Sequence, residues 1–224
     1  MRGQGAMTDE GSLVLYADSN FFSPYVLSVF VSLTEKGIPF EMKTVDLQAQ
    51  EHCQSAYANI SFSRRVPTLV QGKFSLSESS AICEYLEEQY PFPHYPRIYP
   101  AGLRARAIAR ELQAWLRSDL LPIRVERSTE VIFCGRQEGV LSEGAIAATE
   151  KLFAAASRLL NEGSRYLFGN WCIADTDLAV MLNRLVANGD DVPDNLKTYA
   201  LRQWERPSMQ AWLQLSQAQR MLVE

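Results

Sequence analysis

A serine followed by a proline is the first candidate for chemistry in this sequence. Residues 13–27 comprise a short apolar run, a polar break and a second apolar segment that opens at Ser23 and Pro24. Because proline at the first helical position needs no N–H partner, the stretch predicts a strand, a loop and a helix that begins after Ser23. A serine in that position caps the helix. The same hydroxyl also lies beside unpaired backbone N–H groups, a setting that favours a bound anion.

Two further polar groups lie ahead of predicted elements. The stretch RRVP at 64–67 precedes a predicted strand, and Glu78 and Ser79 precede a predicted helix. Pro67 cannot donate to a sheet ladder, so it belongs at the first residues of its strand or on an edge. A serine-rich helix start is again either a simple cap or an anion site. Both interpretations stay open on these residues alone.

The elements that must position these residues follow from hydrophobic spacing. Residues 40–47 alternate apolar and polar, so they complete a strand–helix–strand unit with the first stretch. A hairpin over 66–76 and a helix from about residue 79 follow, and a proline-rich stretch at 90–100 predicts a stiff linker. Only helical patterns come after it, at 103–133, 142–161, 173–187, 192–204 and 207–215. Pro122 should kink or split the first of these.

Composition excludes several classes of function. The chain has 224 residues, is 47% hydrophobic and carries a net charge of −4, so no overall basic field favours nucleic acid or an anionic membrane. No apolar run reaches the roughly 18–20 residues that a membrane span needs. The arginines of the second half are dispersed on helical patterns, which indicates solvated faces and salt bridges. Residues 1–11 lack the apolar run of a signal peptide.

The cysteines and histidines argue against a metal site. Four cysteines are scattered without a C-x-x-C pair, and there are two histidines. This pattern predicts free thiols and no bound metal. Free thiols in a chain without an export signal are typical of the reducing cytoplasm, where we expect the protein to act.

Taken together, five blocks resemble the cytosolic glutathione S-transferases. They are FFSPYVLS, RRVP, LSESSAI, QAWLRSDL and WCIADTDLA, in this order and spacing. Within that superfamily the sequence is most similar to serine-type enzymes of the bacterial YfcF type. The resemblance implies a fold of the α/β plus all-α class, with a thioredoxin-like βαβ-ββα domain (12–90), a proline-rich linker (91–102) and an all-helical C-terminal domain (103–224). It also implies a homodimer.

The resemblance gives Ser23 a catalytic role. Glutaredoxins begin their active helix with C-P-Y-C, but this chain has Ser23, Pro24, Tyr25 and Val26, so dithiol exchange is excluded there. In serine-type transferases the hydroxyl donates a hydrogen bond to the sulfur of glutathione. Such a bond plus a helix N-terminus contributes about 2–3 kcal/mol, enough to lower a thiol pKa of ~8.5 by about two units.

The same resemblance assigns the residues that bind glutathione. Val66, ahead of a cis proline, would pair with the backbone of the tripeptide. Glu78 would take the ammonium of the γ-glutamyl group, and Ser79 its carboxylate.

For the glycyl carboxylate the candidates are Arg64 and Arg65, with His52 as an alternative. No residue pattern chooses among the three.

Two blocks of the second half have other expected roles. WCIADTDLA resembles the family's helix-capping box, in which Cys172 is a poor acceptor but Asp175 can still serve the backbone, so we interpret it as structural. The second substrate is expected between the domains, around Trp115, Asp119, Leu121 and Pro122. Two alternatives stay open, since such side chains are more often part of a core and Asp119 suits an interdomain or dimer contact.

Three functions remain open. The first is conjugation of the glutathione thiolate to a small electrophile, with reduction of organic hydroperoxides as a further activity. The second is a glutathione-dependent isomerase of the maleylacetoacetate type, which needs extra cations in the pocket of the second substrate. The third is a non-enzymatic glutathione-binding protein, since fold does not fix function. The intact Val66-Pro67 and Glu78-Ser79 pairs argue against it.

Overall fold

The computed structural model describes residues 11–161 and 163–223. The expectation that no signal peptide opens the chain concerns residues outside these ranges, apart from Gly11. Four strands form one sheet in the order β2-β1-β3-β4. They are β1 (Leu13–Asp18), β2 (Phe40–Val45), β3 (Thr68–Gln71) and β4 (Phe74–Ser77). The β1–β2 pair is parallel and the other two pairs are antiparallel, so the sheet is mixed, as the thioredoxin-like class requires.

The other regular elements of the described chain are helices. They are α1 (Pro24–Lys36), α2 (Ser55–Ala58), α3 (Ser79–Gln89), α4 (Leu103–Ser118), α5 (Leu121–Glu126), α6 (Thr129–Cys134), α7 (Glu143–Leu159), α8 (Ile173–Asn188), α9 (Asp194–Trp204) and α10 (Pro207–Val223), with a short 3₁₀ helix at Glu51–Cys53. The predicted fold class is therefore confirmed. The domain limits 12–90, 91–102 and 103–224 stay a prediction, although α4 begins at 103.

Helix α1 has the termini that the sequence predicts. Ser23 is its N-cap, Pro24 occupies its first position, and Gly37 ends it with a left-handed φ of 67°. Gly37 suits that conformation because it has no Cβ. Residues 26–33 of this helix are all buried, between the sheet and the helical half. Burial on both sides fixes the helix that carries Ser23.

The predicted helix at 103–133 is split rather than kinked. Helix α4 ends at Ser118, and Leu120, with φ of 57°, turns the chain into α5. Pro122 lies in the first turn of α5, where its missing N–H costs nothing. A second break follows, since Ser128 caps α6. Proline thus marks the start of a new helix and not the break itself.

A buried ion pair holds the linker. The ammonium of Lys36 lies 2.9 Å from a carboxylate oxygen of Glu87. It also donates to the carbonyls of Tyr90, at 2.8 Å, and Pro96, at 2.9 Å. Glu87 in turn accepts from the N–H of Ile98 at 3.0 Å. These contacts fix the proline-rich segment against α1 and α3.

The capping box of α8 is centred on Asp175, which is fully buried. Its carboxylate accepts from the N–H of Cys172 at 2.9 Å, the N–H of Leu167 at 2.8 Å and the hydroxyl of Tyr199 at 2.8 Å. Burial raises the pKa of Asp175, and these donors oppose that rise. Asp175 therefore joins the start of α8 to the preceding loop and to α9.

Two expected absences can be described for the covered ranges. None of the helices at 11–161 or 163–223 is long and apolar enough to cross a membrane. Within the same residues no cluster of three histidine, cysteine or acidic side chains is placed to hold a metal ion. All four cysteines are free thiols.

We expect Asp175→Ala to lower the free energy of unfolding by about 3 kcal/mol, because three buried donors lose their acceptor. Urea unfolding followed by circular dichroism measures this. The matched control is Asp191→Ala, which removes an exposed carboxylate and should change stability by less than about 0.5 kcal/mol. Equal losses in the two variants would contradict the role of Asp175.

Candidate active site

The site residues predicted from the sequence surround one cavity of about 740 Å³. Its walls are Ser23, Tyr25, Leu47, His52, Ser63, Arg64, Arg65, Val66, Pro67, Glu78, Ser79 and Arg117. The fold thus brings together all six site residues of the sequence analysis and the alternative His52. Their roles in binding stay predictions. Apart from these residues and Pro67, which the sequence analysis also named, the wall contains four residues that were missed: Tyr25, Leu47, Ser63 and Arg117.

Ser23 is held at the cavity by a buried carboxylate. Both oxygens of Asp18 accept backbone N–H groups, from Phe22 at 2.7 Å and from Ser23 at 3.2 Å. Burial raises the pKa of Asp18, and these N–H donors oppose the rise. The Ser23 oxygen accepts from the N–H of Val26 at 3.3 Å. Since that bond uses only a lone pair, the hydroxyl proton stays available to a ligand.

The loop before β3 forms one wall of the cavity. The peptide bond between Val66 and Pro67 is cis, as the family resemblance implied. The carbonyl of Arg65 accepts from Tyr57, Ser61 and Thr68 at 2.9–3.2 Å. This inward anchoring of Arg65 fixes the backbone that leads to Val66.

The start of α3 forms another wall. Glu78 has φ of 73° and ψ of 114°, an uncommon conformation for a residue with a side chain. Such strain is retained where the surrounding structure needs it, often at a binding site. Ser79 follows as the first helical residue and is buried. Its hydroxyl accepts from Nη2 of Arg117 at 3.2 Å.

Arg117 reaches this wall from α4, across the domain boundary. Its Nη2 also lies 3.2 Å from Oδ2 of Asp177, and its guanidinium lies 5.9 Å from the ring centre of Tyr25. Burial lowers the pKa of Arg117, but the charge and hydrogen bond of Asp177, together with the nearby Cys83 and Tyr99, more than offset this, so its pKa is raised overall. The guanidinium is therefore a permanent cation beside Ser79.

Asp177, on α8, accepts hydrogen bonds from two other helices. It accepts from the hydroxyl of Ser28 on α1 and from Nε2 of Gln113 on α4 at 2.6 Å, in addition to Arg117. Gln113 is itself oriented by the hydroxyl of Tyr99 at 2.8 Å. The network joins the helix that begins after Ser23 to the helical half.

The charges of the cavity are mainly positive. Arg64, Arg65 and Arg117 line it together with a single acidic side chain, Glu78. His52 is half-buried, and its Nδ1 has no hydrogen-bond partner among the described residues. These walls suit an extended ligand that carries carboxylates and one cationic group.

The location of the second substrate near Trp115 and Asp119 stays a prediction. Trp115 donates to Asp119 at 2.9 Å, and Asp119 also pairs with Lys151. Hydrogen bonding from Lys151 lowers the pKa of Asp119 to about 2. These three residues form a cluster at the surface, and none of them lines the cavity. The neighbouring Arg117 lines the cavity instead.

Comparison with known families agrees with the geometry. The family description "Glutathione S-transferase, C-terminal domain" matches residues 102–218, which is more than half of the chain. The chain belongs to the glutathione S-transferase family. The description "Glutathione S-transferase, N-terminal domain" matches residues 4–94, so the two halves of this family member match separate domains.

Individual relatives place the chain within this family. Glutathione S-transferase theta-1 from Mus musculus is 37% identical over 108 residues, which are 48% of this chain and 43% of the relative. Human glutathione S-transferase theta-2 is 39% identical over 88 residues, 39% of this chain and 35% of the relative. The matched region spans less than half the length of these curated relatives.

Solved structures match over nearly the whole chain. A glutathione transferase homolog from Burkholderia GL BGR1 with bound glutathione is 44% identical, with a TM-score of 0.76, covering 93% of this chain and 99% of the other. A maleyl pyruvate isomerase, described as a bacterial glutathione S-transferase of the zeta class, is 26% identical with a TM-score of 0.70, covering 91% of this chain and 97% of the other.

We expect Asp177→Ala to lower the free energy of unfolding by about 3 kcal/mol, since it leaves a largely buried guanidinium and two other donors without their acceptor. Urea unfolding measures the loss. The matched control is Glu84→Ala, which removes the partly exposed partner of Arg110 and should cost less than about 0.5 kcal/mol. The role of Asp177 is wrong if the two variants are equally stable.

Proposed function

We propose that this protein is a glutathione transferase of the serine type, similar to the YfcF type, that conjugates glutathione to small electrophiles. The observation that carries the proposal is that Ser23, the cis Val66-Pro67 bond and the Glu78-Ser79 pair share one cavity at the N-terminus of α1. The similar Burkholderia structure, which contains glutathione, supports the choice of thiol.

The γ-glutamyl end of glutathione would lie at the start of α3. Its carboxylate would accept from the N–H and hydroxyl of Ser79, where the helix dipole favours an anion. Arg117 already donates to that hydroxyl, so its charge would reinforce the subsite. Glu78 would bind the ammonium. The N–H and C=O of Val66 would then pair with the cysteinyl residue in the middle of the tripeptide.

The glycyl carboxylate would lie at the other end of the cavity. Arg64 and Arg65 are exposed and have no carboxylate partner among the described residues, so their charges are available. His52, with its unpartnered Nδ1, is the alternative. This end of the ligand is the more solvated one.

Ser23 would act on the sulfur. The bound thiol loses its proton to solvent, and the Ser23 hydroxyl donates to the resulting thiolate while its oxygen still accepts from Val26. The thiolate attacks an electrophilic carbon, the C–S bond forms and the leaving group departs with its electron pair. Stabilising the thiolate by about 2–3 kcal/mol raises its fraction at neutral pH from a few per cent to most of the bound ligand.

Further activities would use the same thiolate. In hydroperoxide reduction it attacks the peroxide oxygen, the alcohol leaves, and a second glutathione displaces hydroxide from the sulfenic acid to give the disulfide. A glutathione-dependent isomerase is a second candidate, because three arginines line a cavity beside Tyr25. The cytoplasmic location and the homodimer belong to the same proposal. The location rests on the four free cysteines, and the homodimer rests on the family resemblance.

Replacing Ser23 by alanine should change the pKa and the reaction rate of bound glutathione but leave the affinity for glutathione almost unchanged. We expect Ser23→Ala to raise the pKa of bound glutathione by about two units and to lower turnover about 100-fold at neutral pH. Because the raised pKa moves the thiolate to higher pH, activity should recover as the pH rises. A pH profile of kcat/KM with ultraviolet detection of the bound thiolate measures both changes.

The matched control for Ser23→Ala is Ser75→Ala, on an exposed position of β4. Loss of the N-cap costs about 1 kcal/mol, so assays should be run well below the unfolding transition. A pH profile identical to that of the unmutated protein would remove Ser23 from the mechanism.

A ligand without glycine identifies the residue that holds the glycyl carboxylate. Among Arg64→Gln, Arg65→Gln and His52→Gln, we expect one variant to weaken glutathione binding about 10-fold, because a charged hydrogen bond is lost. The same variant should leave the affinity for γ-glutamylcysteine unchanged, which calorimetry can measure. If all three bind both thiols as the unmutated protein does, the placement of the glycyl end is wrong.

A further inference from the structure

A second, smaller cavity adjoins the candidate active site. It is lined by Pro24, Tyr25, Leu116, Arg117, Arg124, Asp177, Val180, Met181 and Arg184. Tyr25 and Arg117 also line the larger cavity, and Pro24 directly follows Ser23. The smaller cavity has a volume of about 30 Å³, which is room for about two water-sized groups. It therefore lies where part of a second substrate could extend from the reacting sulfur.

The charges around this cavity do not balance. Three guanidinium groups and one carboxylate line it. That carboxylate, Asp177, already accepts from Ser28, Gln113 and Arg117. Among the residues that the structure describes, neither Arg124 nor Arg184 has a carboxylate within 4.0 Å. The cavity wall thus carries two uncompensated positive charges.

Arg184 is the most unusual of these groups. It is only 4% exposed, and its hydrogen bond goes to the carbonyl of Arg127 at 2.7 Å. Its Nε has no partner in the described part of the chain. Burial lowers the pKa of Arg184 to about 10, so it still carries its charge at neutral pH. A buried cation without a counter-ion is costly, and a bound anion would relieve that cost.

Arg124 is fixed in place beside it. Its Nη1 donates to the carbonyls of Leu116, at 2.9 Å, and Arg117, at 2.5 Å, at the end of α4. These bonds occupy one nitrogen of the fork and leave the others free for a ligand. Around the arginines, Leu116, Val180 and Met181 supply apolar walls. A charged group flanked by hydrocarbon matches this combination.

We propose that this cavity binds the carboxylate of the second substrate, so that the preferred electrophile is an organic anion. The inference rests on the proposed transferase function, because it names the substrate class of the same site. A carboxylate fits the volume, whereas an aromatic ring would stay in the larger cavity. Paired hydrogen bonds from guanidinium groups to both oxygens would favour it over a neutral group of equal shape.

Two benzylic electrophiles of nearly equal shape provide the test. Glutathione sulfur displaces chloride from 4-(chloromethyl)benzoate or from 4-(chloromethyl)benzamide, forming the same C–S bond in both. Each rate is divided by the uncatalysed rate with free glutathione. We expect kcat/KM for the benzoate to exceed that for the benzamide by about 10- to 100-fold, as for a charge-assisted pair of hydrogen bonds.

Variants then connect the preference to the two arginines. Arg124→Gln and Arg184→Gln should each lower the ratio of kcat/KM for the benzoate to kcat/KM for the benzamide about 10-fold. If Arg184→Gln fails to fold, Arg184→Lys replaces it as a variant that keeps the charge but loses the planar pair of donors. Arg158→Gln, an exposed arginine on α7, is the matched control and should keep the ratio. The inference would be overturned if the unmutated protein did not prefer the benzoate, or if the variants at Arg124 and Arg184 all preferred it as strongly as the unmutated protein does.

Binding without reaction separates this inference from the proposed function. Calorimetry with the glutathione-saturated protein compares 4-methylbenzoate with 4-methylbenzamide, neither of which can be conjugated. Tighter binding of the benzoate that depends on Arg124 and Arg184, with no turnover of either chloride, would support the anion site and contradict the transferase. Turnover of both chlorides at equal efficiency, with no tighter binding of the benzoate, would contradict only the anion site.

Discussion

The site depends on the hydrogen bonds that the carboxylate of Asp177 accepts from two other helices. It lies on α8 and accepts from Ser28 on α1 and from Gln113 and Arg117 on α4. A single charge with three donors fixes the distance between the active-site helix and the helical half. Arg117, held in this way, also reaches Ser79 at the start of α3. The cavity is therefore built by both domains, although most of its walls belong to the first.

Local interactions were predictable from the sequence because they depend on neighbouring residues. Ser23 with Pro24 specifies where α1 begins, and Gly37 where it ends, since cap and φ preferences act within a few positions. The grouping of Val66 with Glu78 in one cavity followed from the resemblance, which supplies the order of strands that spacing alone leaves open. What the sequence indicated best was therefore the fold and the first-domain walls.

The residues that the second half of the chain contributes to the cavity could not be predicted from the sequence. Its arginines were interpreted as solvated faces and salt bridges. The buried Arg127 does pair with Asp190, but Arg184 is buried without a carboxylate partner among the described residues, and Arg117 lines the cavity. Helical periodicity shows which face is apolar, but a long side chain can bend over that face and place its head in a neighbouring domain. Arg117 and Ser79 are far apart along the chain, so only tertiary packing brings them together. The acidic partner of Arg117, Asp177, gave no local signal either.

The ion pair and hydrogen bonds of Lys36 determine how much of the chain the first domain needs in order to fold. The ammonium is fully buried and depends on Glu87 and on the carbonyls of Tyr90 and Pro96. A chain cut after α3 would keep the carboxylate but lose the carbonyls of both Tyr90 and Pro96, leaving a buried ammonium short of two acceptors. The buried ammonium on α1 therefore has its full set of acceptors only in a chain that extends at least to Pro96. The proline-rich linker therefore belongs structurally to the first domain, because it supplies an acceptor for a buried group of α1.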